Sequence, residues 1–239
     1  MKIKMVLFDL DGTLLPMDQD VFAAAYFGGI AKALLPHGYE PKELIGAIGK
    51  GTVAMVKNGG EKTNEEVFWE TFTSIYGDKA REDEPYFESF YLSPDGFDKV
   101  RESVGFTSKA AEVIALLKAL GLRVALATNP LFPSIATEKR IRWAGLSTDD
   151  FELYTTYENS HFCKPNLAYY EEILKKLDLS PEECLMVGND ALEDMIAEKL
   201  GMKVFLLTDC LINKKNIDIS SYPAGGFDDL CEYIKKLSV

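Results

Sequence analysis

The spacing of apolar and polar positions changes twice along this chain. Residues 3 to 8, IKMVLF, form a short apolar run that stops at Asp9. Such a run, followed at once by a glycine-containing turn, predicts a strand buried on both faces. From about Asp18 to Glu102 the spacing is helical and no convincing strand is present. VFAAAYFGGIAKALL, KELIGAIGKGTVAMVKN (interrupted by glycines), NEEVFWETFTSIYG and EPYFESFYL each read as a helix, with aromatics at helical intervals that suit core packing. From Thr107 the two periods alternate. SKAAEVIALLKALG reads as a helix closed by glycine. LRVALATN follows as an apolar run, SIATEKRIRWAG as a helix and FELYTT as a short strand. NLAYYEEILKKLDL is a helix, SPEE a tight turn, CLMVGND a buried run, ALEDMIAEKLG a helix, MKVFLLT a strand and FDDLCEYIKKL a last helix.

Doubly apolar strands alternating with helices predict an α/β fold, a Rossmann-like parallel sheet flanked by helices. The helical stretch then interrupts that core as an inserted all-α unit. The expected division is 1–16 and 107–239 for the core and 17–106 for the insertion, with short hinges near Pro16 and Gly105. No internal repeat or low-complexity segment is evident.

Composition narrows the partners. The 239 residues carry a formal net charge of −12, which argues against binding nucleic acid through its phosphates. A small phosphorylated ligand needs only local positive charge and is not excluded. No window approaches 18 uninterrupted apolar residues, so no membrane partner is expected, and no secretory pattern precedes the first strand. The expectation is a cytoplasmic protein, monomeric or a weak homo-oligomer. Cys163, Cys184, Cys210 and Cys231 form no C-x-x-C pair and read as reduced thiols. With only His37 and His161, a His/Cys zinc site has few ligands to draw on.

Chemistry collects at the strand ends, where ligands of open parallel sheets bind. The first strand ends in Asp9 and Asp11 and the second in Thr128 and Asn129. The segment after the third carries Lys164. The fourth ends in Gly188, Asn189 and Asp190, with Asp194 a helical turn later. Any one of these alone would be an ordinary turn former, helix cap or surface lysine; four strand ends agreeing is another matter. Asp9 and Asp11 share a face, about 6–7 Å apart if strand geometry continued. Crowded carboxylates call for a compensating cation, and oxygen donors without His or Cys favour Mg²⁺ over Zn²⁺. Mg²⁺ leaves coordination places for phosphate oxygens, so the chemistry implied is phosphoryl transfer.

DLDGT, the strand-ending Thr128, KPN at Lys164 and GND…ED together resemble, in order, spacing and strand placement, the four motifs of the haloacid dehalogenase-like hydrolase superfamily. The resemblance spans residues 9 to 194. It implies that Asp9 is the nucleophile, forming an aspartyl-phosphate. Asp11 is then the general acid and base, Thr128 a donor to the phosphoryl group, and Lys164 the stabiliser of negative charge. Asn129 and Gly12 belong to the phosphate-binding surroundings, Gly12 by allowing a sharp loop with free amides. Mg²⁺ would be held by Asp9, the carbonyl of Asp11, Asp190 and, directly or through water, Asp194. The insertion resembles the family's helical cap, which closes over the site and contacts the leaving group.

One departure stands out. The family usually has glycine directly before the first aspartate of the fourth motif, and here Asn189 intervenes. The four-residue spacing favours pairing Asp190 with Asp194; the other alignment puts Asn189 in the ligand position. Within the insertion, GAIGKGT offers Lys50 as a cap residue facing an anionic substrate, although the stretch is not a P-loop because Gly51 follows Lys50. The function implied is a Mg²⁺-dependent phosphatase of a small phosphorylated metabolite. A phosphomutase would share every core residue. A phosphonate hydrolase would need a cap lysine, which Lys50 could supply, and a non-catalytic phospho-binding protein would usually have lost Asp9 or Asp11. Asp11 argues against a dehalogenase, whose branch lacks it.

Overall fold

The computed structural model describes residues 2–237. Its centre is a parallel sheet of five strands in the order β2-β1-β3-β4-β5. These are β1 (Met5–Phe8), β2 (Arg123–Leu126), β3 (Cys184–Gly188), β4 (Lys203–Leu207) and the two-residue β5 (Ala224–Gly225). β1 lies between β2 and β3, with Phe8 opposite Leu126 on one side and Val187 on the other. Its four residues are fully buried, as a doubly apolar central strand must be.

Alternate residues serve two cores, following the strand period of two. Val6, Phe8, Val124, Leu126, Leu185 and Val187 face one apolar cluster. It includes residues of α7 (Lys109–Ala119), α8 (Ser134–Trp143) and α10 (Phe227–Leu237). Met5, Leu7, Ala125, Cys184, Met186 and Val204 face the other, with residues of α9 (Leu167–Leu177).

Between β1 and α7 the described residues are helices and turns: α1 (Gln19–Leu34), α2 (Pro41–Val56), α3 (Asn64–Tyr76), α5 (Glu84–Leu92) and the four-residue α4 (Lys79–Glu82) and α6 (Phe97–Val100). Asp18 caps α1, and Thr63 with Glu66 forms a capping box on α3. The two connections to the sheet run side by side: Met17 and Val104 form an antiparallel bridge, and the Gly105 amide donates to the Pro16 carbonyl at 2.7 Å. Phe22, Tyr26, Phe90 and Phe97 join the same apolar cluster as Phe8 and Leu126. The start of α3 docks on the segment leading to Lys164, through Asn64 N to Ser160 O (2.8 Å) and Glu65 N to Tyr157 O (2.9 Å).

Three expected elements differ. FELYTT is not a regular strand. It runs parallel to β2, bonding through Leu126 N to Leu153 O and Thr155 N to Leu126 O, but closes only one bridge, at Tyr154. ALEDMIAEKLG forms a 3₁₀ segment, Met195–Leu200, rather than an α-helix. KELIGAIGKGTVAMV is one unbroken helix, α2, despite its glycines. The four cysteines are free. Among the described residues no helix is long and apolar enough to cross a membrane.

Candidate active site

Where β1 ends, the Asp9 amide still bonds to Val187 O at 2.9 Å, so the sheet itself fixes this residue. The chain then doubles back in a tight turn closed by Leu15 N to Leu10 O (2.9 Å) and Gly12 N to Leu15 O (2.8 Å). Gly12 sits at φ +85°, and a β-carbon there would collide with the Asn189 amide. The position therefore needs glycine on two counts. The turn brings the Thr13 hydroxyl within 3.2 Å of Asp9 Oδ2 and 3.0 Å of Asn189 Oδ1.

Lys164 Nζ bridges two carboxylates from distant parts of the chain, Asp9 Oδ1 at 2.9 Å and Asp194 Oδ1 at 2.6 Å. Lys164 and Asp194 are each 1% exposed and Asp9 is 7% exposed. Burial opposes the lysine's charge, but Asp194 and then Asp9 outweigh it and hold its pKa well above the ordinary value. Burial also pushes the Asp194 carboxyl up while the ammonium draws it back. The lysine's own backbone is set by Asn129: Lys164 N donates to Asn129 Oδ1 at 3.2 Å, and Asn129 Nδ2 donates to Glu193 Oε2 at 3.0 Å. The Thr128 carbonyl accepts from Thr155 Oγ1 (2.6 Å) and from the Tyr169 hydroxyl (2.8 Å). Asp9, Thr128, Lys164 and Asp194 thus meet at the carboxyl ends of the strands.

Asp11 has a partner that sequence reasoning missed. Arg140, in α8 and fully buried, donates from Nη1 to Asp11 Oδ2. Its Nη2 also reaches Thr137 Oγ1 at 3.3 Å, and its guanidinium carbon lies 4.4 Å from the centre of the Phe132 ring. The other Asp11 oxygen, Oδ1, is buried without a hydrogen-bond partner. Burial raises the Asp11 pKa, Arg140 pulls it down, and the charge of Asp9 adds to the rise. A carboxyl biased toward its protonated form suits a proton donor. One signal could have exposed Arg140: it falls on the helix face that buries Ala136, Thr137 and Ile141.

At the fourth strand end Asn189, Asp190 and Asp194 take three different places. A β-carbon on Gly188 would collide with the Asp194 carboxylate, so glycine is what lets that side chain fold back beneath β3. Asp190 Oδ1 accepts from the amides of Leu192 (2.7 Å) and Glu193 (2.9 Å), the work of a local turn cap. Asp194 Oδ2 accepts from Asp190 N at 2.9 Å, so both Asp194 oxygens are engaged. Asn189, 1% exposed, is the side chain that joins the Asp9 network, through Thr13. Its Nδ2 donates to Cys210 O at 2.6 Å, which leaves the carbonyl oxygen turned toward Thr13. Asn189 is thus linked to Asp9 through Thr13, Asp190 caps the turn and lines the same cavity, and Asp194 is a holder of Lys164. Glu193, absent from the sequence argument, also lines the site. Burial pushes its carboxyl up to about 7.

Among the described residues no three His, Cys, Asp or Glu side chains stand together as a metal group. The donors are nonetheless all oxygens, and five carboxylates (Asp9, Asp11, Asp190, Glu193 and Asp194) line one end of a single cavity. That set fits Mg²⁺, which commonly takes one or two carboxylates and completes its shell with water and phosphate oxygens.

The cavity measures about 360 Å³ and opens over these strand ends. Its other wall comes from the helical insertion and the loop after β2, with Phe22, Phe27, Trp69, Phe87 and Phe132 among the lining. Lys50 is not there. It is exposed on α2, while Ile48 and Thr52 of the same helix face the cavity. The helical spacing that GAIGKGT keeps turns Lys50 outward, which corrects its expected place beside the substrate.

A carboxylate locked to a buried lysine, with a second carboxylate two residues on, is equipped to attack a small electrophile and move a proton beside it. Comparison with known proteins returns a class built for such work. The family model for haloacid dehalogenase-like hydrolases matches residues 3–200. The chain belongs to that family and is a hydrolytic enzyme. The pyrophosphatase PpaX of Bacillus cereus is 25% identical over 203 residues, 85% of this chain and 82% of the relative. The 2-haloacid dehalogenase of Pseudomonas syringae superposes with a TM-score of 0.61 at 20% identity, covering 98% of this chain and 99% of the other. The HAD-hydrolase YfnB of Bacillus subtilis, described as bound to magnesium, gives 0.56 at 18% identity, covering 98% and 99%. These structural likenesses establish the fold.

Proposed function

We propose that the chain is a Mg²⁺-dependent phosphatase that hydrolyses the phosphate monoester of a small metabolite through an aspartyl-phosphate on Asp9. The observation that carries this reading is the pairing of Asp9 with Lys164, with Asp11 in the same cavity two residues on.

An Asp9 oxygen attacks phosphorus as the ester P–O bond breaks, and Asp11 gives its proton to the departing alkoxide. Lys164 offsets the charge on Asp9 and on the phosphoryl oxygens. Thr128 is the hydroxyl that bonds the transferred group. In the second half Asp11 takes a proton from water, the water oxygen bonds to phosphorus, and the bond to Asp9 breaks to release phosphate. Asp9, the Asp11 carbonyl and Asn189, with Asp190 beside them, would hold Mg²⁺, which supplies neutralisation of phosphate charge when bound. The Bacillus relative is named a pyrophosphatase, which supports phosphoryl chemistry in this family; the dehalogenase likeness is set against Asp11, which halide displacement from carbon does not need.

The purified protein is expected to hydrolyse an aryl phosphate with Mg²⁺ and to stop on addition of EDTA. Asp9→Asn is expected to reduce turnover by about 10⁴-fold or more with its circular dichroism spectrum unchanged. Metal-independent turnover, or full activity in that variant, would sink the mechanism.

A further inference from the structure

We propose that the natural substrate carries its phosphate on a neutral, largely apolar or aromatic alcohol, and that a second anionic group on the leaving side is excluded. This rests on the phosphatase reading and adds the chemical class of the leaving group.

The cavity is divided by chemistry. Its strand-end wall holds five carboxylates. Its far wall is aromatic: Phe22, Phe27, Phe68, Trp69, Phe87 and Phe132. Among the described residues no Lys, Arg or His lines it anywhere. The buried cations behind the strand-end wall are already paired with its carboxylates, Arg140 with Asp11 and Lys164 with Asp9 and Asp194, and none stands on the leaving side. Polar groups on the insertion side are few, and most are occupied. The Tyr26 and Tyr91 hydroxyls bond each other at 2.8 Å, and the Thr52 hydroxyl donates to Ile48 O at 3.0 Å. Gln19, at the start of α1, and the indole N–H of Trp69, buried without a hydrogen-bond partner, are the remaining polar groups of the insertion in the lining, enough to meet a neutral tip.

A carboxylate or second phosphate in this space would lose its water without gaining a cation, while facing like charges across the cavity. An aromatic or branched apolar group would instead meet ring faces and edges. A cavity of about 360 Å³ is in the usual range for small-molecule sites and has room for such a group.

The test compares benzyl phosphate with para-carboxybenzyl phosphate, whose leaving alcohols differ little in acidity. With Mg²⁺ present, kcat/KM is expected to be about 100-fold higher for the benzyl ester. Thr52→Lys, which puts a cation into the lining, is expected to narrow the gap at least tenfold. The matching phosphonates, which cannot be hydrolysed, give a readout free of turnover: quenching of tryptophan fluorescence, with Trp69 in the lining. The same order of affinities is expected there. Equal or better use of the carboxylated ester, or equal affinity for the two phosphonates, overturns the inference and leaves the phosphatase reading standing. Selective phosphonate binding without hydrolysis of either ester would remove the phosphatase reading and keep the apolar pocket.

Discussion

The two walls of the cavity obey different rules. On the strand-end wall most polar groups are pinned by another: Asp9 by Lys164 and Thr13, Asp194 by Lys164 and a backbone amide, Asp11 by Arg140. On the insertion wall the contacts are ring against ring, such as Tyr26 on Phe132 at 5.2 Å and 75°. Charges out of water need fixed partners, whereas rings need only area and shape. One wall is therefore intolerant of change, and the other can be reshaped while the chain still folds. Phe132 joins them, packing on the Arg140 guanidinium and on rings of the insertion.

The largest effect expected follows from breaking the pinned wall at its centre. Lys164→Met removes the cation between Asp9 and Asp194 and leaves two buried carboxylates facing each other. A loss of about 3–5 kcal/mol is expected in urea unfolding, along with abolished turnover. Adding Asp194→Asn should recover part of the stability and none of the activity, because only one buried charge then lacks a partner. If Lys164→Met alone were as stable as the parent, the ion-paired account of this wall would be wrong.

This contrast also explains what the sequence could convey. Asp9, Asp11 and Thr128 were legible because doubly apolar runs mark strands, and parallel sheets gather their strand ends on one edge; Lys164 follows a stretch that forms no regular strand, and only the resemblance of KPN to a family motif pointed to it. Arg140 was hidden among Lys139, Arg140 and Arg142, where only the helix phase separates the buried cation from its neighbours. The choice between Asn189 and Asp190 was a matter of one residue in a turn, and spacing along the chain does not say which side chain caps the turn and which faces Asp9. The glycines of α2 suggested interruption because a glycine's helical cost is visible in one dimension while the partner ring that needs it is not.

A smaller effect is expected at Arg140. Arg140→Met withdraws the positive charge that lowers the Asp11 pKa, leaving burial and Asp9, both of which raise it. Asp11 must be protonated in the first half-reaction, so kcat/KM falls as pH climbs through its pKa. Without Arg140 that alkaline limb should move to higher pH, with activity at its optimum reduced about 10–100-fold. Glu193, whose carboxyl is pushed up to about 7 by burial, lines the same cavity and can add a limb of its own. The comparison is therefore repeated in a Glu193→Gln background, where the shift should persist. A limb that stays in place would mean that Arg140 supports the fold and not the proton on Asp11.

The smallest effects sharpen the comparison within a single turn of α2. Lys50 is exposed and outside the cavity lining, so Lys50→Ala should leave kcat/KM within about twofold and stability within about 0.5 kcal/mol. Gly51 is its neighbour, buried against α3, and a β-carbon there would stand 2.5 Å from Phe68. Alanine gains about 1 kcal/mol in helix propensity over glycine, yet forcing a methyl against that ring typically costs about 1–3 kcal/mol. Phe68 also lines the cavity, so its displacement changes the shape offered to the leaving group. Gly51→Ala is therefore expected to be neutral to destabilising by about 2 kcal/mol in thermal unfolding, and to shift KM more than kcat. If Lys50→Ala impaired the enzyme while Gly51→Ala did not, charge rather than ring packing would govern the insertion wall, and the division between the two walls would fail.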